Sequence, residues 1–381
     1  MTGKELTKLI AAQICLHACM AGMRMAAPLL ALREGYSPAA VGILLALFAL
    51  TQVFLALPAG RFTDKHGLRK PVQLSVLAAS AGAGLAVAFP IFPILCLSAL
   101  MTGGATGVMV IALQRFVGRS AEGSTELKRV FSWLSLGPAV SNFIGPFFAG
   151  LLIDHSGFRA AFLMLALLPL ASWVLVHKTR ELSPVAIAAD VKPSTAWDLF
   201  KEPMMRRLII VNWFLSSCWD VHTFVVPILG HERGYSASVI GSILGVFAIA
   251  AAVVRVLMPF IAKHLKEWVV VSGSMVTTGV LFGIYPLMPT AWAMGACSVA
   301  LGFVLGSVQP MIMSTLHQIT PEHRHGEALG LRLMTINASS VIMPMLYGVA
   351  GAVVGVAGLF WVTGALVGLA SNQAWKLRPP K

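Results

Sequence analysis

Asp220 stands apart from the other acidic side chains. The chain holds 15 Asp and Glu in 381 residues, and only Asp220 falls near the middle of an apolar run. The rest lie in loops, termini or run ends. A carboxylate in hydrocarbon is costly, and protonation removes both its charge and that cost, so Asp220 is the first candidate for carrying a proton. A second group is Gln13, His17, Met20 and Arg24. At about 100° per residue these positions share one stripe of a helix. Asn212, Ser216, Trp219 and Thr223 make a matching stripe around Asp220. Arg24 can pair with Asp220 or hold an anionic group of a substrate. His17 titrates in a useful range, and serves as a proton carrier or as a hydrogen-bonding residue. Asn142, Gln309 and Asn337 are further candidates for a polar cavity, the alternative being hydrogen bonds between helices. Arg255 lies about two turns from the end of its run, where snorkelling to the surface is expected. Cys15, His17, Cys19, Met20 and Met23, with Cys218 and His222, are soft donors of the kind that suits Cu(I). Copper carriage is a minor alternative, and no metal site or cofactor is assigned.

These groups need elements that hold them inside a bilayer. Hydrophobic residues make up 57% of the chain and charged residues 11%, against roughly 25% charged in soluble domains. So few charges cannot cover a soluble core of this size, so lipid must be the solvent for most of the surface. The five cysteines sit in apolar stretches without finger or disulfide spacing. A net charge of +13 could suggest nucleic acid, but the basic residues occupy short loops between apolar runs, so no nucleic-acid partner is expected.

Runs long enough to cross about 30 Å of hydrocarbon fall at 9–31, 39–58, 71–90, 93–116, 130–153 and 159–177. A second set falls at 208–230, 238–261, 268–288, 291–316, 332–354 and 357–376. The basic start followed by an apolar run is rather like a signal peptide, but the run continues without a cleavage-like break and reads as a retained first helix. Of the 28 Lys and Arg, only Arg33, Arg159 and Arg233 lie in loops on the side opposite the N-terminus, and Arg24 and Arg255 lie within spans. The positive-inside rule then places both termini in the cytoplasm. Residues 178–207 form the long polar stretch between the sets, giving halves at 1–177 and 208–381.

The halves repeat. Pro28 to Ser37 matches Pro227 to Ser236, through Gly35-Tyr36 and Gly234-Tyr235. Val41-Gly42 and Phe48-Ala49 continue in register with Ile240-Gly241 and Phe247-Ala248. Parallel repeats of this kind place a substrate site at their interface, near the midplane.

The loop after the second span reads Gly60-Arg-Phe-Thr-Asp64-Lys65-His-Gly67-Leu-Arg69-Lys70. It resembles the loop signature of the major facilitator superfamily, and with the repeat and the span count the resemblance covers nearly the whole chain. It implies an all-α membrane protein of twelve transmembrane helices in two pseudo-symmetric six-helix bundles. It also implies a multi-pass, monomeric carrier in the cytoplasmic (inner) membrane. In that family the acidic group helps latch the halves in the outward-facing state, often with an Arg at the end of the fourth span, here Arg115 or Arg119. Asp64 can also sit against a helix N-terminus. The matching loop of the second half, Pro259 to His264, lacks the Asp and the glycines, so only the first-half loop is expected to carry the latch.

The fifth span carries Ser141, Gly145, Pro146, Ala149 and Gly150, with Ser132 upstream. This resembles the motif of proton-coupled antiporters in the family, although Ser132, Ser141 and Ala149 stand at glycine positions. The family's drug antiporters usually carry an Arg in mid-fourth span, and here Ala99 and Leu100 precede Gly103-Gly104. The expectation is a secondary carrier of a small organic compound by alternating access, driven by a proton gradient and exporting. The alternative is an uptake symporter for an organic anion. No ATP-binding loop or nucleophile constellation is present, so neither an ATP-driven pump nor an enzyme is expected.

Overall fold

A computed structural model describes residues 2–36, 38–182, 196–235 and 237–378. Among them there is no strand. Among the described residues eleven helical segments are long and apolar enough to cross a membrane. The helices are α1 (Gly3–Arg33), α2 (Pro38–His66), α3 (Arg69–Ala88), α4 (Phe92–Arg119), α5 (Gly123–Leu134), α6 (Leu136–Ser156) and α7 (Phe158–Val176). They continue as α8 (Ala196–Lys201), α9 (Pro203–Glu232), α10 (Ala237–Ile261), α11 (Glu267–Ile284), α12 (Ala291–Ile319) and α13 (His325–Trp375). Helix is the expected answer, since a backbone in lipid must satisfy its own hydrogen bonds.

The departures from the expected spans have local causes. The fifth span breaks at Ser135. Pro138 has no N–H to return to the Leu134 carbonyl, which loosens the ladder there. The eleventh and twelfth expected spans, 332–354 and 357–376, run together in α13 with one non-helical residue, Gly355, at φ 74° and ψ 169°. Glycine alone adopts that geometry without strain. The expected linker is shorter than 178–207, because α8 and the first turn of α9 fall inside it. Residues 183–195 of that linker, and Ser37 and Ser236 of the repeat, lie outside the described residues.

The chain forms two compact units, neither continuous in sequence. Unit 1 is 1–121, 134–196 and 320–338, and unit 2 is 122–133, 197–319 and 339–381. The main change of unit falls within the expected linker. Two short stretches depart from the expected halves: 122–133 packs with the second half, and 320–338 with the first.

Inside each unit the repeat is visible as packing. In unit 1 Gly103 of α4 lies against the Phe48 backbone of α2, so closely that a Cβ there would overlap the Phe48 carbonyl. In unit 2 Gly302 of α12 lies against the Phe247 carbonyl of α10 in the same way. These are repeat-related pairs, and the small residues let the two backbones meet.

Candidate functional site

Asp64 lies in the last turn of α2, just before Gly67 turns the chain at φ 73° into α3. Its Oδ1 accepts from Arg115 Nε at 2.6 Å and from the Gly326 amide at 2.9 Å. Its Oδ2 accepts from the Glu327 amide at 3.0 Å. Gly326 and Glu327 open α13, so the carboxylate sits where the helix leaves free N–H groups and a positive partial charge. Arg115 also donates to the Asp64 carbonyl at 3.2 Å.

Glu327 extends the cluster. It accepts from Arg61 Nε at 2.7 Å and from Arg324 Nε at 2.8 Å. Gly60 and Gly326 meet backbone to backbone, and a Cβ on either would overlap the other's carbonyl. All of this lies within unit 1. Arg119 pairs instead with Glu322, at 3.8 Å.

The remaining signature residues act elsewhere. Glu181, just past α7, accepts from the Leu68 amide at 3.0 Å and the Arg69 amide at 2.6 Å, capping α3. Arg69 Nη2 donates to the Thr179 carbonyl at 2.6 Å. Gly67 leaves the room that the Glu181 carboxylate occupies. Lys65 and Lys70 are exposed. Sequence reasoning missed Glu181, whose only signal is an acid directly after a span.

Unit 2 holds a contact of different chemistry just past its corresponding stretch, Pro259 to His264. Lys128 of α5 is buried, and its Nζ donates to the Leu265 carbonyl at 2.6 Å. Glu267 stands 3.7 Å from the same Nζ. Leu265 follows the three-residue helical turn Ala262–His264 that ends α10. A backbone acceptor needs no particular side chain, so this contact does not depend on an Asp in that stretch.

The α6 motif residues have a clear packing role. Gly137, Ser141, Gly145 and Ala149 are the buried residues of α6, at four-residue spacing on one face. Ser141 Oγ donates to the Gly137 carbonyl at 2.7 Å and lies 3.2 Å from the Ile14 carbonyl of α1. Gly145 packs on the Ala18 backbone. Pro146 lies inside the helix, and Gly150 meets only Met25. Ser132 is buried in the part of α5 that belongs to unit 2.

The α1 stripe is not uniform. Gln13 is buried against Gly137, with no partner for its Oε1. His17 Nδ1 is likewise buried without a partner. Met20 is buried, and Arg24 and Asn142 are exposed.

In unit 2 Asp220 accepts a long hydrogen bond of 3.4 Å from Ser339. Asn212 is buried, Ser216 half-buried, and Thr223 exposed with its hydroxyl on the Trp219 carbonyl at 3.0 Å. Trp219 packs edge-on against Phe247, and the Arg255 guanidinium lies 5.6 Å from the Trp219 ring. Arg255 therefore does not snorkel away but turns toward the middle of α9, drawn by the ring's negative face. Gln309 is half-buried, and Asn337 donates to the Leu333 carbonyl of its own helix at 2.8 Å. His222 uses Nε2 on Ser298 at 2.9 Å, and Ser298 lies 2.8 Å from the Tyr285 hydroxyl. Among the described residues no three His, Cys, Asp or Glu group to hold a metal.

The family model described as the Major Facilitator Superfamily matches residues 9–269 and 208–381. The chain belongs to the Major Facilitator Superfamily. It is a multi-pass membrane protein and a secondary transporter. Among its relatives in the superfamily is the class B tetracycline resistance protein of Escherichia coli. The two are 25% identical over 319 residues, which is 81% of this chain and 78% of that protein. The class H tetracycline resistance protein of Pasteurella multocida is 24% identical over 353 residues, covering 86% and 83%. The superfamily fold is shared with a bacterial homologue of the iron transporter ferroportin in an outward-facing state, at TM-score 0.79, 17% identity and coverage of 98% and 99%. It is shared as well with the human organic anion transporter MFSD10, at TM-score 0.80, 14% identity and coverage of 98% and 100%.

Proposed function

We propose that this transporter exports a small organic compound across the cytoplasmic membrane in exchange for protons. The observation that carries alternating access is the Asp64 cluster. A carboxylate joined to Arg115 and to the first amides of α13 links sequence-distant helices through bonds that can break and reform as a unit. Export is supported by the relatives named for tetracycline resistance, since a membrane carrier protects a cell by removing the compound. The distribution of basic residues among the loops supports a cytoplasmic position for both termini and the Asp64 cluster. Asp220 is the proton carrier, because it lies within α9, its carboxylate accepts a hydrogen bond as long as 3.4 Å from Ser339, and protonation would relieve its desolvation. The exposed Arg24 meets an acidic or strongly polar part of the substrate.

Everted membrane vesicles with an imposed pH gradient and tetracycline as the first probe test this reading. Wild-type vesicles are expected to accumulate the probe and to discharge protons when it is added. Asp220→Asn is expected to abolish gradient-driven accumulation while leaving tetracycline counterflow intact. Undiminished accumulation by Asp220→Asn would remove Asp220 from the coupling. Accumulation of an organic anion by right-side-out vesicles instead would establish uptake.

A further inference from the structure

In the repeat register that pairs Phe48 with Phe247, Arg69 corresponds to Trp268 and Thr179 to Arg378. Each pair meets inside its own unit. In unit 1 Arg69 Nη2 donates to the Thr179 carbonyl at 2.6 Å, and in unit 2 the Arg378 guanidinium lies 5.6 Å from the centre of the Trp268 ring. The same corner is built twice, but its charge is balanced from within only once. Unit 1 fills it with its own anion, the Glu181 carboxylate, which accepts from the Leu68 and Arg69 amides at 3.0 and 2.6 Å. The counterpart of Glu181 in the repeat is Pro380, which lies outside the described residues. Residues 376–381 contain no acid.

Unit 2 presents cations there instead. Lys266, Lys376 and Arg378 are exposed and Arg207 is half-buried. Arg207 Nη1 donates to the Lys376 carbonyl at 3.4 Å, which ties the start of α9 to the chain after α13. Among the described residues none of the four forms an ion pair. Glu267 follows Lys266, but its carboxylate is taken by Ser314, Gln318 and Lys128. Beside the cations stand two tryptophans. The Trp268 and Trp375 rings meet edge to face with centroids 4.7 Å apart, and Trp375 is 55% exposed. Indole rings at the ends of spans favour the headgroup level of a bilayer, and clustered Lys and Arg at that level attract anionic lipid.

We propose that the corner formed by Arg207, Lys266, Lys376 and Arg378, beside Trp268 and Trp375, binds the phosphodiester headgroup of an anionic phospholipid. The lipid phosphate does for unit 2 what the Glu181 carboxylate does for unit 1. Guanidinium forks match the paired oxygens of a phosphate, and the first turn of α11 adds a positive partial charge. Val269, Val276 and Val280 stand exposed along one face of the same helix, and they offer apolar surface to the acyl chains. A soluble phosphate would meet the cations but leave the indoles and that face uncovered, so the source is the lipid.

Native mass spectrometry of the full-length protein tests this, with dioleoylphosphatidylglycerol and dioleoylphosphatidylcholine as probes that share the same chains. Wild type is expected to hold the anionic lipid about tenfold more tightly or better, as a cluster of surface cations requires. Arg378→Gln should weaken phosphatidylglycerol binding about fivefold, the worth of one cation near a membrane surface, and leave phosphatidylcholine binding unchanged. Adding Lys376→Gln should multiply the loss, while Arg378→Lys should stay near wild type. Lys4→Gln removes an exposed cation of unit 1 and should change neither lipid. Thermal midpoints near wild type in Arg378→Lys and Arg378→Gln exclude misfolding as the cause. Equal wild-type affinity for the two lipids would overturn the proposal, as would an equal loss in Lys4→Gln and Arg378→Gln. Displacement of phosphatidylglycerol by an equimolar amount of glycerol 3-phosphate would overturn it too, since the site would then be one for soluble anions.

Discussion

Asp64→Asn is the sharpest single perturbation of the first cluster. The carboxylate receives the Arg115 Nε–H and the Gly326 and Glu327 amides at 2.6, 2.9 and 3.0 Å. Asparagine is nearly the same size, yet it replaces one acceptor oxygen with a donor and removes the charge. Whichever way the amide turns, its NH2 then faces an N–H group, and Arg115 is left without a counter-charge. The two side chains are only 11% and 4% exposed, so water compensates poorly. Removing one partner of a buried pair costs about 3 to 5 kcal/mol, and the lower figure suits a carboxylate at the edge of the helix end. At about 1.4 kcal/mol per factor of ten, local opening at the start of α13 should become about 100-fold more frequent. Hydrogen exchange of the Gly326 and Glu327 amides reads this directly, because those protons are the ones donated to Asp64. Their protection is expected to fall by about that factor, while amides in the middle of α11 keep wild-type rates. Unchanged protection at 326 and 327 would show that the carboxylate does not hold the helix end, and the latch reading would fail with it.

Two other perturbations test separate parts of the structure. Glu181→Ala should free the N-terminus of α3 and lower stability by about 1 kcal/mol, the usual worth of such a cap, seen as a lower midpoint in thermal unfolding. Arg255→Met should lose the contact with the Trp219 ring, worth about 1 to 2 kcal/mol when desolvated. A change in indole fluorescence is expected, and its absence in Arg255→Met would put the guanidinium elsewhere.

Side-chain chemistry was legible in the sequence where it depended on a residue type at a fixed place. The Gly60-x3-Asp64 spacing announced a tight approach beside an acid, and Gly60 against Gly326 is that approach. The repeat register matched Phe48 with Phe247, and in the structure each lies against a glycine, Gly103 and Gly302. Contacts to main chain were not legible. Nothing in the types of residues 259–267 says that the Leu265 carbonyl will receive Lys128, because every residue has a carbonyl. The direction of Arg255 was missed for a related reason. Hydropathy fixes how deep a residue sits along a helix, but whether its side chain turns to water or to an aromatic ring depends on neighbours distant in sequence. The interruption at Ser135 was likewise hidden, since one skipped bond near Pro138 leaves the apolar run unbroken.

The exchanged stretches also constrain the order in which the molecule can be made. Unit 1 contains residues 320–338, so it is complete only when most of the chain has left the ribosome. Until then Asp64 lacks the α13 amides that it binds in the finished protein. Residues 122–133 are synthesised early but belong with later-made partners, and Lys128 must wait for Leu265. Neither sequence half therefore carries all the contacts of its unit until the later-made stretch is in place.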